Sequence, residues 1–352
     1  MRIARNDFAR LLQQVVKAVN SRNTIPVLGT LRLEASGGAL TVTATDLDLE
    51  ISGSIEAEGD YIGCIDARML AGAVGKFKGD EVTIEADGDD AVIKSGRSRF
   101  KMQTIPVGDF PTMDGGKFGA TLALDLAALF APVAFAMSVE DARYYLNGIY
   151  MHPVDGKLVA VATDGHRLSA NSVDVPHEQP TAVFEGIIIP TKTVNLLPKG
   201  EVTVDISDAK IRITDGKTTI LSKLIDCVFP DYQRVIPSGN DKNIVFDNAT
   251  MRDAADRVAL ASNERGRAVK MTITEGVCDL TVRGDAEGTD SVSVDYSGEE
   301  VNIGFNSRYV VDVLGALPPG DVNMAVADGG SPALLTSDKA PSQRIVIMPM
   351  RV

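Results

Sequence analysis

The chain has 352 residues, 44% of them hydrophobic, and 48 acidic against 35 basic side chains give a formal net charge of −13. No apolar run approaches the roughly 20 residues a membrane helix needs. Cys64, Cys227 and Cys278 are too far apart for a disulfide framework or a zinc site, and His152, His166 and His177 show no ligand spacing, so neither a metal nor a cofactor is expected. The acidic balance argues against nucleic acid as a partner unless the two signs are segregated on the surface.

Met1 to Asp7 turns amphipathic at once and lacks the apolar core of a signal peptide, which makes the cytoplasm the expected compartment. Phe8, Leu11, Leu12, Val15, Val16 and Val19 then recur at helical spacing, while Arg10, Gln13, Gln14 and Lys17 fall on an opposite face without an acid. Alternation predicts strands at Leu31–Glu34, Leu40–Ala44 and Val82–Glu85, with turns such as Ser36-Gly37-Gly38 between runs. A second helix opens at Arg68, buries Leu70, Ala73, Val74 and Phe77, and closes on Lys76 and Lys78. Leu126–Met137 keeps an apolar stripe but contains Pro132, which should kink it, and carries no Lys or Arg. Strands follow at Leu158–Ala162, Val202–Ile206 and Ile211–Thr214, then at Lys270–Thr274, Asp279–Val282 and Val322–Ala327. Pro- and Gly-rich passages at Val107–Gly119 and Phe229–Asn243 divide the chain into units 1–119, 120–240 and 241–352.

Those units are copies. An apolar strand runs into a helix start with a basic residue at one offset in Ile65-Asp66-Ala67-Arg68, Ile189-Pro190-Thr191-Lys192 and Phe305-Asn306-Ser307-Arg308, spaced by 124 and 116 residues. A third of the chain is about 117 residues, the size of an ordinary domain. Each copy reads as two amphipathic helices on antiparallel sheet, an α+β class. The acids crowd into strand and turn segments, Asp46–Glu50, Glu81–Asp90 and Asp285–Glu300, while several helices are basic. Any one basic helix face is ordinarily just solvated; recurrence at one repeat position favours a shared anionic partner.

Six segments in order then carry a resemblance: Ser95-Gly96-Arg97-Ser98-Arg99-Phe100, Asp109-Phe110-Pro111, Arg143-Tyr144-Tyr145-Leu146-Asn147-Gly148, Thr163-Asp164-Gly165-His166-Arg167-Leu168, Phe229-Pro230-Asp231-Tyr232 and Met348-Pro349-Met350-Arg351. Across essentially its whole length the chain resembles the bacterial beta sliding clamp family, the processivity subunits of DNA polymerase III. The resemblance implies three tandem clamp domains per chain and a head-to-tail homodimer closed into a ring, helices inside and sheets outside. Double-stranded DNA would be held topologically, through weak, salt-sensitive phosphate contacts and no base readout.

By the resemblance, Arg22, Arg68, Tyr144, Tyr145 and Lys192 face DNA; Arg308 is added from the internal repeat. Glu140 stands where the family commonly has Gln, which together with the uncharged Leu126 segment weakens DNA contact by the second domain. A pocket for short peptides from the replicative polymerase, the clamp loader and other proteins with a clamp-binding motif maps to Arg143, Leu146, Thr163, Gly165, His166 and Arg167. It continues through Leu168, Pro230, Arg234, Val235, Val346 and Met348, an apolar cleft with Thr, His and Arg at its edge. Ring closure maps to Phe100 and Met102 on one side and Leu260 and Ala261 on the other. The family usually has a larger apolar residue at the last position, and its loss implies about 2 to 5 kcal/mol less per interface.

Asp164, His166 and Arg167 are the only group resembling an acid–base cluster, and no nucleophile elbow, Walker loop or metal pattern accompanies them. The chain therefore reads as a non-catalytic binding protein, loaded by a separate ATP-driven partner. The rival is a scaffold that keeps the peptide pocket without stable encirclement of DNA.

Overall fold

The structure is a computed structural model that describes residues 1–20, 24–175, 184–263 and 268–352. Its elements recur three times in one order. The first series is β1 (Arg2–Ala4), α1 (Arg5–Val15), β2 (Thr30–Ser36), β3 (Ala39–Thr45), β4 (Leu49–Glu56), β5 (Tyr61–Asp66), α2 (Ala67–Lys76), β6 (Glu81–Asp87), β7 (Asp90–Ser95) and β8 (Ser98–Ile105). The second is β9 (Ala120–Leu124), α3 (Leu126–Phe130), β10 (Gly148–Val154), β11 (Lys157–Thr163), β12 (Arg167–Asp174), β13 (Ile187–Pro190), α4 (Thr191–Val194), β14 (Val202–Ile206), β15 (Lys210–Thr214) and β16 (Thr218–Lys223). The third is β17 (Lys242–Asp247), α5 (Asn248–Ala259), β18 (Ala268–Thr274), β19 (Val277–Arg283), β20 (Glu287–Ser293), β21 (Val301–Asn306), α6 (Ser307–Gly315), β22 (Asp321–Val326), β23 (Ala333–Thr336) and β24 (Arg344–Ile347).

Two compact units hold these elements. One comprises Met1–Asp125 with Asn195–Leu224, the other Leu126–Val194 with Ile225–Val352. The first unit carries a twelve-stranded sheet in the order β1-β6-β7-β8-β5-β2-β3-β4-β16-β15-β14-β9. The second carries an eight-stranded sheet, β13-β10-β11-β12-β24-β23-β22-β17, and a four-stranded one, β20-β19-β18-β21. All pairs are antiparallel. One rule joins consecutive series: β4 pairs with β16, the last strand of the next series, and β12 pairs with β24 in the same way. Among the described residues β20 has β19 alone as neighbour, and Ser98–Gln103 of β8 have β7 alone.

Among the described residues, side-chain caps open three of the four long helices; α1 runs eleven residues without one. The Asp66 carboxylate accepts the Met69 amide at 2.7 Å, Asp247 accepts that of Thr250 at 2.9 Å, and Asn306 accepts those of Arg308 and Tyr309. These three helices run nine to twelve residues. In the second series Pro190 stands at the cap position with no side-chain acceptor, and α4 is four residues long. Pro132 ends α3 at Phe130, shorter than the Leu126–Met137 helix the apolar stripe suggests. Its freed carbonyls are met by side chains: Asn171 donates to Leu129 O at 3.0 Å, and Ser169 and Gln343 donate to Pro132 O at 2.9 and 2.8 Å. The two-helix expectation thus holds at full length in the first and third copies only.

α1 buries Phe8, Leu11, Leu12 and Val15 as its periodicity requires. Its polar face differs from the sequence reading in one respect. The helix begins at Arg5, so it includes exposed Asp7, which pairs with Arg10; Gln14 accepts a hydrogen bond from the Thr218 hydroxyl at 3.0 Å. In the third series the buried Asn248 amide donates to the carbonyls of Leu314, Leu317 and Pro318 at 3.0 to 3.1 Å and so caps the end of α6. Asn248→Ala strands these acceptors away from water, and urea unfolding should show a loss of about 1 to 3 kcal/mol; no measurable loss would mean that α6 ends without help.

Candidate partner-binding site

The segment Thr163–Leu168 is a tight turn whose chemistry the chain uses in three places. In each, a Thr hydroxyl donates to the carbonyl four residues on (Thr45 to Leu49, Thr163 to Arg167, Thr214 to Thr218) at 2.7 to 3.1 Å. The Asp that follows accepts the next two available amides: Asp46 takes those of Asp48 and Leu49, Asp164 those of His166 and Arg167, Asp215 those of Lys217 and Thr218. The residue between is left-handed, Leu47 at φ 80°, Gly165 at 88° and Gly216 at 86°. Asp164 and Thr163 are therefore occupied as turn formers, and the acid–base grouping imagined from the sequence has no free carboxylate.

Leu146, Leu168 and Val346 share one buried cluster with Phe229 and Tyr232. Exposed Pro230 adjoins it in the chain, and Val235 and Met348, 44% and 37% exposed, offer apolar area an incoming ligand can cover. The β12–β24 ladder sets these groups side by side, with Leu168 opposite Val346 and the Met348 amide donating to His166 O at 2.8 Å. Behind them Tyr150 stacks on Phe229 at 4.8 Å and on His152 at 5.0 Å, and His152 Nε2 lies 2.9 Å from the Tyr232 hydroxyl. Burial holds the His152 imidazole below its ordinary range, which favours the neutral ring in this stack. These aromatics escaped the sequence reading, although Phe229 and Tyr232 flank Pro230 in a segment it had singled out.

The polar edge is more engaged than its composition suggests. Arg143 makes a bidentate pair with Glu140, Nε to Oε2 at 2.9 Å and Nη2 to Oε1 at 2.8 Å, which pulls the Glu140 carboxyl below the usual range. A Cβ on Gly165 would stand 2.5 Å from Arg143 Nη1, so glycine both permits the turn and lets that guanidinium lie over it. Arg234 is exposed and pairs with Asp231 at 2.8 Å. Arg167 is half-buried: Nε reaches Asp164 at 3.2 Å, Nη1 reaches Asp312 at 2.6 Å, and Nη2 reaches Phe135 O at 2.9 Å. The exposed His166 ring, 6.1 Å from that of Tyr309, faces a groove of about 850 Å³ shared with Met137, Glu140, Asn306 and Arg308.

The DNA-facing candidates fall at equivalent places. Arg68, Lys192 and Arg308 are each the second residue of a helix, α2, α4 and α6. A cation there opposes the helix dipole, so local helix stability does not account for the recurrence. Arg68 and Arg308 are exposed and Lys192 half-buried. Tyr144 is exposed and Tyr145 half-buried, their rings 6.0 Å apart edge to face; Arg22 lies outside the described residues.

The four interface candidates divide. Phe100, 40% exposed and 5.7 Å from the ring of Phe77, and Leu260, 87% exposed, project outward, whereas Met102 is buried. Ala261 is 8% exposed within its own chain, and a Cβ on Gly288 would come within 3.1 Å of its methyl. Ala261 thus sits against Gly288 of β20 inside its own domain. Among the described residues no group of three His, Cys, Asp or Glu could hold a metal, and no helix is long and apolar enough to cross a membrane. Cys64 and Cys278 are buried, the latter thiol pushed up to about 12 by burial, but Cys227 is exposed.

Models of the three domains of the DNA polymerase III beta subunit match this chain consecutively, the N-terminal domain at residues 1–114, the central domain at 123–231 and the C-terminal domain at 233–351. The beta sliding clamp of Caulobacter vibrioides is 40% identical over 370 residues and that of Escherichia coli K12 33% identical over 365, each alignment covering 99% of both chains. Among solved structures, a sliding clamp from Bartonella birtlesii bound to griselimycin matches with a TM-score of 0.95 at 37% identity, covering 100% of this chain and 99% of that one. The DNA polymerase III beta subunit of Pseudomonas aeruginosa matches with a TM-score of 0.95 at 34% identity, covering 100% of both.

Proposed function

The chain belongs to the DNA polymerase III beta subunit family and is a non-catalytic sliding clamp of DNA replication; on that premise we propose that two copies close head to tail into a ring of six domains around duplex DNA. Domain boundaries near 119/120 and 240/241 accord with the Pro- and Gly-rich passages between the three series.

The observation that carries the closure is the strand rule. Within the chain the fifth element of one series, β4 or β12, always takes the last strand of the next, β16 or β24. Only β20 of the third series and β8 of the first lack that neighbour among the described residues, and a second copy supplies both. Unpaired edges template strand addition. Here β8 carries Arg99 and Lys101, with Arg97 just before it, β20 carries Glu287 and Asp290, and Phe100 and Leu260 stand exposed nearby. Sedimentation of the purified chain should give twice 37.4 kDa at submicromolar concentration; a monomer would contradict closure.

Inside such a ring Arg68, Lys192 and Arg308 offer phosphate contacts, joined by Arg22 and the Tyr144–Tyr145 pair, and the weakness of those contacts is what permits sliding. Glu140, tied to Arg143, and the uncharged α3 reduce the share carried by the second domain. The cleft around Leu168, Val346 and Met348 accepts peptide segments of the replicative polymerase, the clamp loader and other replication and repair proteins, supported by the griselimycin-bound relative. The cytoplasm is the compartment this function requires.

A further inference from the structure

We propose that Arg167 is a positioning residue for the peptide cleft: it locks the Thr163–Leu168 turn to α6 through Asp312 and Tyr309 and does not itself touch the ligand. The inference rests on the cleft reading given above.

The turn itself has no need of an arginine. Its two copies make the same hydrogen bonds with Leu49 and Thr218 at the equivalent position. What Arg167 adds is reach. Its guanidinium bridges three segments: Asp164 in the turn, the Phe135 carbonyl beyond α3, and Asp312 one turn along α6. It also lies 4.5 Å from the centroid of Tyr309 and 5.3 Å from that of Phe135, so rings from two segments enclose it. With the side chain 10% exposed and three donors already committed to protein oxygens, little of it remains for a peptide.

The lock matters to the cleft because the turn sets two of its walls. Leu168 follows Arg167 directly, and Met348 hangs from His166 O. The β12–β24 ladder begins at Arg167 opposite Ile347 and fixes the turn on one side; Asp312 and Tyr309 fix it on the other. A charge-assisted bond is directional, and although Asp312 is partly exposed, removing it leaves the more deeply held Arg167 charge with one partner fewer.

The test uses Asp312→Asn and Arg167→Met in the full-length chain, with griselimycin as the probe and wild-type protein as reference. Calorimetry should show affinity falling on the order of tenfold for each single variant, as for loss of one charge-assisted hydrogen bond, and no further in the double variant. Arg167→Lys, which can keep the Asp312 pair, should recover part of the loss. Without ligand, hydrogen exchange at the amides of residues 165–168 should accelerate in Asp312→Asn. Binding by Asp312→Asn within twofold of wild type, while Arg167→Met loses it, would overturn the proposal and make Arg167 a ligand contact. Unchanged exchange would overturn the lock itself. Failure of the wild type to bind griselimycin would instead remove the cleft reading, and the exchange measurement would still decide whether Asp312 holds the turn.

Discussion

Replacing Phe100 and Leu260 together by alanine is expected to raise the dimer dissociation constant by at least about a thousandfold and leave monomers at micromolar concentration. Both side chains project from the chain beside strand edges that, among the described residues, lack their usual neighbour. Truncating a buried Phe or Leu costs roughly 2 to 5 kcal/mol, and apolar anchors at the centre of an interface dominate its energy. A head-to-tail ring contains each contact twice, so the loss is doubled per ring, and even about 4 kcal/mol in total corresponds to roughly a thousandfold. Leu260 is 87% exposed in the single chain, so Leu260→Ala removes no contact within the chain and should lower thermal stability only through the weakened dimer. Phe100→Ala also gives up the Phe77 contact and should lower stability slightly. Sedimentation across a concentration series reads the result, and an undisturbed dimer would place the interface elsewhere. Ala261→Leu makes the complementary point: with Gly288 against its methyl, the larger side chain should destabilise the third domain and not tighten the ring.

The double variant Val235→Glu with Met348→Glu is expected to weaken griselimycin binding by about a hundredfold or more while sparing the fold. Both positions are partly exposed, so the carboxylates stay hydrated in the free protein. A ligand that covers them must strip that water, and an unpaired charge in an apolar contact costs several kcal/mol. Leu168→Ala would weaken binding as well, but Leu168 belongs to the buried cluster with Phe229, Tyr232 and Val346, so its effect is confounded by unfolding. Calorimetry alongside thermal melting separates the two. Full affinity in the double glutamate variant would show that the cleft lies away from β24.

Much of the architecture was legible in periodicity and repetition. Strand positions followed from alternation because both faces of each sheet have definite environments, α1 and α2 followed from apolar spacing, and the start of α6 followed from the internal repeat. The second copy was legible only in part. Pro190 and Pro132 mark it in the sequence, but how far each shortens its helix depends on carbonyl partners such as Asn171 and Gln343, which are distant in the chain. For the site, the resemblance brought together Leu146, Leu168 and Val346, whereas the allocation of polar groups was not readable. That Thr163 is consumed by its turn, Arg143 by Glu140 and Arg167 by Asp312 depends on side-chain geometry that residue type does not fix. The contact of Ala261 with Gly288 inside the domain was likewise not readable from residue type. Strand pairing supplied what no local pattern could: among the described residues, the two open positions at β8 and β20.

The measurement that bears most directly on encirclement is retention on nicked circular DNA, after loading by the cognate clamp loader with ATP, before and after a single cut linearises the circle. At a salt concentration that strips simple electrostatic binders, the protein should stay on the circle and leave once the DNA has ends. Equal loss from circular and linear DNA, with the loader shown to be active on another clamp, would contradict encirclement and leave a scaffold that binds peptides without holding DNA.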